Sequence, residues 1–142
     1  MMNSATTLTF PIVGAYYHKP AQSILSVLAL GTELWLHPDP SNPYDSHAVE
    51  VILKAGNLSE AALAILAEKL PYDGFTIDQF LSWSQVMLGF LSRGAATPAI
   101  TRSPIDLKGT YWLSARQTHC IQVQQVQAEI ISLDAQLKVL TP

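Results

Sequence analysis

The chain has 142 residues, of which 49% are hydrophobic and only 13% charged, and its formal net charge is −3. A charged share near half the usual ~25% excludes a disordered chain, and the negative balance excludes a protein that coats nucleic acid by charge alone. The 9 prolines and 7 glycines are dispersed, which excludes a low-complexity or collagen-like sequence.

Leu8 to Tyr17 is rich in β-formers and predicts a strand, with Pro11 marking an edge or bulge. Ala21 to Leu30 predicts a short helix or a packed loop, and Gly31-Thr32 a turn. Residues 33–37 alternate, with Leu34 and Leu36 on one face and Trp35 on the other, as a strand does. A turn-rich block runs from Pro38 to Asp45, in which Pro43 holds Asn42 out of the helical region. Residues 47–53 alternate again as a strand. Ser59-Glu60 opens an amphipathic helix over 59–70, which Pro71 is expected to stop, and a second helix is predicted over 76–84. Residues 86–91 return to strand, with Gly89 marking a bend or a close backbone approach. Gly94 to Pro104 reads as loop and residues 110–116 as strand. Cys120 to Val126 has strand character. However, Val123, Val126, Ile130, Leu133, Leu137 and Leu140 repeat at helical spacing, which favours a helix over 122–138. Period-2 and period-3.6 segments thus predict one α/β domain over residues 1–142, built on a strongly curved, mostly antiparallel sheet, with no internal repeat.

No apolar run approaches the roughly 20 residues that span a bilayer. Met1 to Ser4 shows no secretory signal, and Cys120 is the only cysteine. These features point to a soluble intracellular protein without disulfide or cysteine-based zinc. His18, His37, His47 and His119 show no metal-ligand spacing, and Asp39 and Asp45 read as turn aspartates rather than a catalytic pair. No cofactor loop is present, so the expectation is a non-enzyme with no cofactor and no metal. Charge is unevenly spread. Residues 1–71 carry Lys19, Lys54 and Lys69 against six carboxylates, whereas Arg93, Arg102, Lys108 and Arg116 face Asp106 alone.

Three pieces occur in order: Val13-Gly14-Ala15-Tyr16-Tyr17; Asn42-Pro43-Tyr44-Asp45 with Ala48-Val49-Glu50-Val51; and Gly89-Phe90-Leu91-Ser92-Arg93. This arrangement resembles the HIRAN domain family, which occurs in the N-terminal parts of Swi/Snf-type DNA remodellers. The likeness covers residues 10–53 and 86–94. The members compared pass almost directly from the Ala-Val-x-Val strand to the Gly-x-Leu-x-Arg strand. Here a segment of about 30 residues, with helices predicted inside 55–85, intervenes.

The resemblance implies a small antiparallel β-barrel of OB-like type with flanking and inserted helices, an α+β fold. It also implies a module that binds the 3′ end of single-stranded DNA through Tyr17, Asn42, Tyr44, Asp45 and Arg93. As a free-standing adaptor it would serve DNA repair, replication or mobile-element processes, in the cytoplasm or at the nucleoid. The residue chemistry is compatible. An exposed tyrosine stacks on bases, and an ionised carboxylate accepts a hydrogen bond from a terminal hydroxyl while repelling a phosphate. Strand alternation puts Tyr16 and Tyr17 on opposite faces, and the family's Gly-x-x-Tyr spacing implies that Tyr17 is the ligand-facing ring and Tyr16 a core residue. Competing roles are a turn cap for Asp45, a barrel lid for Tyr44, a surface ion pair for Arg93, and burial against the inserted helices for Trp35. The alternative function is a protein-interaction module that works through the inserted helices, by a partner or by self-association.

Overall fold

The structure is a computed structural model and describes residues 7–92, 100 and 106–124. Six strands form a closed antiparallel barrel: β1 (Thr7–Val13), β2 (Glu33–Pro38), β3 (Val49–Lys54), β4 (Gln85–Leu91), β5 (Leu107–Leu113) and β6 (His119–Gln124). Their order around the barrel is β1-β4-β3-β2-β5-β6. The α+β barrel anticipated from the sequence is therefore the architecture found.

Alternation explains the interior. Phe10 and Ile12 of β1, Leu34 and Leu36 of β2, Val49, Val51 and Leu53 of β3, and Ile121 and Val123 of β6 all enter one core. Pro11 lies at a change of partner. Residues 7–11 of β1 pair with β6, and Ile12 and Val13 pair with β4. A residue with no N–H is tolerated there, and its carbonyl accepts from the Ser92 amide at 3.3 Å.

Among the described residues, α1 (Lys19–Val27), α2 (Glu60–Asp73) and α3 (Ile77–Ser82) flank the barrel. Ser59 caps α2 by accepting from the Ala62 amide, and Thr76 and Gln79 form a capping box on α3. The segment between β3 and β4 is thus helical, as predicted. It is fastened to the core by Leu66, Leu70 and Phe80, all fully buried. Ala21, Ile24 and Leu25 are the buried residues of α1, and Ser23 Oγ donates to Asp73 Oδ2 at 2.6 Å, tying α1 to the end of α2.

Several expectations require correction. β1 ends at Val13 rather than residue 17, because Gly14 adopts a φ of 79° and turns the chain into one turn of 3-10 helix, Ala15–Tyr17. Pro71 does not stop α2. In the last turn it forfeits only one helical hydrogen bond, and the helix closes at Gly74, whose left-handed backbone returns its N–H to Leu70 and Pro71. Residues 122–124 are strand, not the start of a helix, because β6 is claimed by both β1 and β5. The remainder of that predicted helix lies outside the described residues, as does the 94–104 loop apart from buried Ile100. No helix among the described residues is long and apolar enough to cross a membrane.

Because Leu66 is completely buried beneath the insertion, Leu66→Ala should cost about 2–5 kcal/mol, and Leu66→Asp should abolish folding. Urea denaturation followed by circular dichroism measures both. An unchanged midpoint would contradict the packing of α2 on the core.

Candidate functional site

The ends of β1 and β4, the 3-10 turn and the 39–48 loop surround an open groove of about 1010 Å³. Its floor is apolar, from Val13, Ala48, Phe90 and Leu91, and its rim carries Tyr16, Tyr17, Tyr44 and Asp45. Gly14 places the first two rings. After its left-handed turn, Tyr16 and Tyr17 lie side by side with ring centroids 4.1 Å apart, tilted by 34°. The Tyr16 hydroxyl donates to the Tyr17 hydroxyl at 2.7 Å. That bond, followed by desolvation and electrostatic repulsion between the two phenols as they ionise, raises the Tyr16 pKa above its ordinary value.

Tyr16 is 65% exposed and Tyr17 73% exposed. The expectation that Tyr16 enters the core is therefore wrong. Alternation assigns opposite faces only while the strand continues, and here it stops three residues earlier. The glycine before the tyrosine pair was the signal for this.

The opposite rim is a loop braced by its own short polar side chains. Asn42 Oδ1 accepts from the amides of Tyr44 (2.9 Å) and Asp45 (3.1 Å), and Asp45 Oδ1 accepts from the His47 amide at 2.9 Å. The Asp39 amide donates to the Ala48 carbonyl, closing the loop neck at 2.9 Å. Pro43 presets the turn, and Tyr44 projects from it 90% exposed, not folded over the barrel as a lid. Asp45 is half-buried, and His47 Nδ1 stands 4.0 Å from its Oδ1. The turn-cap role is thus occupied by one oxygen of Asp45, and Asn42 acts as the brace that presents Tyr44 and Asp45.

The structure therefore gathers Tyr17, Asn42, Tyr44 and Asp45 around one groove. Arg93 lies outside the described residues. The groove residues that sequence reasoning passed over are Tyr16 and the apolar floor, whose members read as ordinary core positions.

Elsewhere, Trp35 is half-buried on the outer face of β2, with Lys54 Nζ 4.1 Å and Lys108 Nζ 5.5 Å from its ring centroid. Lys108 also pairs with Glu33 at 3.1 Å. Burial raises the Cys120 thiol above its ordinary value, which makes it a poor nucleophile. Among the described residues no three His, Cys, Asp or Glu side chains converge in an arrangement able to hold a metal ion.

No family model matches the chain, and no curated protein matches it significantly. Among solved structures, the fold is similar to the crystal structure of a structural-genomics target protein from Lactobacillus plantarum. The TM-score is 0.51 at 19% identity, over 85% of this chain and 95% of that one. At that identity the likeness concerns the fold alone.

Beside the groove loop, His37 Nδ1 lies 2.8 Å from Asp106 Oδ1. The hydrogen bond to Asp106 raises the His37 pKa above 6.5, against a smaller opposing effect of desolvation. A raised folded value means the pair's stabilisation is fully present below pH about 6.5 and lost as pH rises through the folded pKa. Both side chains are nearly half exposed, so solvent screening holds the effect below about 1 kcal/mol. His37→Gln should therefore reduce the stability lost between pH 5.5 and 8, read from urea midpoints at the two pH values. An identical loss in both proteins would remove the pair from the pH response.

Proposed function

We propose that the protein is a non-catalytic, HIRAN-like module that binds single-stranded DNA at a free 3′-OH end. The observation that carries this reading is the groove itself, with exposed tyrosine rings on both rims and a braced carboxylate beside Tyr44 on one of them. Each base stacked on an aromatic ring contributes roughly 1–3 kcal/mol irrespective of sequence. A terminal hydroxyl donates to the Asp45 carboxylate, whereas a terminal phosphate would set like charges together in a half-buried site. Among the described residues that line the groove none is a lysine or arginine. Stacking surfaces beside a hydrogen-bond-accepting carboxylate favour a strand terminus over a long stretch of backbone. Such a module would act as an adaptor that brings a partner to exposed DNA ends. Exposed Ile65, Tyr72 and Leu81 on α2 and α3 favour a second reading, in which these helices engage a protein.

Fluorescence anisotropy with matched oligonucleotides tests the proposal. A 3′-phosphate should weaken binding at least about tenfold, roughly 1.4 kcal/mol. Asp45→Asn should narrow that gap, because the amide retains an oxygen to cap His47 while offering a donor to phosphate. Tyr44→Ala should lose roughly 1–3 kcal/mol for both ends. The slope of log K against log salt should be near −2, about three phosphate contacts at about −0.7 each on a single strand. Equal affinity for both ends would reject end recognition, and absence of binding at low salt would favour the protein-interaction reading.

A further inference from the structure

A second depression, of about 510 Å³, opens on the other side of Tyr17. This is within the ~300–1,000 Å³ typical of small-ligand sites. One wall is His18 and Lys19, where the chain enters α1. The other is Phe75, Trp83 and Gln85, from the helical insertion and the start of β4. Phe75 and Trp83 meet edge to face with ring centroids 5.4 Å apart, and buried Phe80 backs Trp83 at 5.9 Å. The aromatic wall is therefore held by the core rather than left to swing. Lys19 is exposed and forms no ion pair among the described residues. Lys54 and Lys108, by contrast, are engaged by Trp35 or Glu33.

Tyr17 lines both depressions. They therefore meet at a single exposed ring, with Asp45 in the lining of one and Lys19 in the lining of the other. The two charges lie in different depressions on either side of that ring: a carboxylate in the groove and an ammonium in the second depression. A strand that enters the groove by its 3′ end meets the two charges in that order.

Resting on the end-binding reading, we infer that the second depression is a subsite for the nucleotide preceding the terminal one. Lys19 holds its phosphate, and Phe75 and Trp83 support its sugar and base. The insertion between β3 and β4 thus lengthens the site by one nucleotide, and Tyr17 inserts between the last two bases.

The test compares thymidine, the thymidine dinucleotide and hexathymidylate, all ending in 3′-OH, by competition against labelled hexathymidylate. Lys19→Gln should weaken the dinucleotide and hexamer about fivefold while leaving thymidine unchanged. It should also flatten the salt slope for the hexamer by about 0.7, one phosphate contact, and keep the preference for 3′-OH over 3′-phosphate. Lys19→Glu should weaken the dinucleotide further. Lys69→Gln, an exposed cation on α2 outside both depressions, should change nothing. If Lys19→Gln matches the wild type in dinucleotide affinity and salt slope while end preference persists, the subsite alone is overturned. If the wild-type protein binds both termini equally or binds neither, the end-binding reading fails and the subsite fails with it.

Discussion

At Gly89 the backbone of β4 passes so close to β1 that no side chain fits between them. A Cβ there would stand 2.5 Å from the Val13 carbonyl oxygen and 2.9 Å from Ile12 Cγ2, and the φ of 153° suits glycine alone. This approach accompanies the β1–β4 pairing that closes the barrel, Ile12 with Leu91 and Val13 with Phe90. Three of these four residues, Val13, Phe90 and Leu91, form part of the groove floor. The groove floor is thus a by-product of barrel closure: the strands must come together here, and the chain must then leave β1 sharply through Gly14. That exit sets two tyrosines side by side on the surface.

The opposite rim solves a different problem. A loop of ten residues, 39–48, joins β2 to β3, and a loop of that length would ordinarily wander. Asn42 and Asp45 remove much of its freedom by accepting hydrogen bonds from backbone amides two or three residues on, and Pro43 by fixing one φ. Tyr44 is consequently held out in solvent by backbone geometry, not by packing of its own ring. An exposed ring on a rigid turn loses less freedom on meeting a ligand than the same ring on a mobile loop. Its exposure is costly for a residue with no task, and the bracing concentrates that cost in one place.

The barrel was legible because its signals are local. Alternation in β2 and β3, the Ser59 cap and the Gly89 punctuation each act within a few residues, and each reappears in the structure. The Asn-Pro-Tyr-Asp turn was legible for the same reason. What failed depends on partners distant in sequence. Val123 and Val126 fit a helical repeat with Ile130 and Leu133. Yet residues 119–124 are taken into the sheet by two neighbours at once, one of them more than a hundred residues earlier. Tyr16 and Tyr17 were assigned to opposite faces because a β-rich segment gave no reason to end the strand except a single glycine. Nothing in the sequence placed Phe75 and Trp83 beside Tyr17, because that neighbourhood exists only once the insertion has folded back against α1 and the start of β4.

Charge and stacking divide the work differently here than in a protein that coats single strands. Coating requires a track of cations, since the neutralised phosphates supply most of the affinity and the site must repeat along the backbone. Among the described residues this groove has three phenol rings, one carboxylate and no lysine or arginine in its lining. On the proposed reading its affinity comes from burying ring faces and from one hydrogen bond that exists only where the strand stops. Adding nucleotides beyond the reach of Lys19 then adds little, whereas adding ends adds sites. On the same reading a chain with net charge −3 gains from that arrangement, because the repulsion that would keep it off continuous backbone leaves the terminus, where a hydroxyl replaces a phosphate, as the least repelled part of the strand.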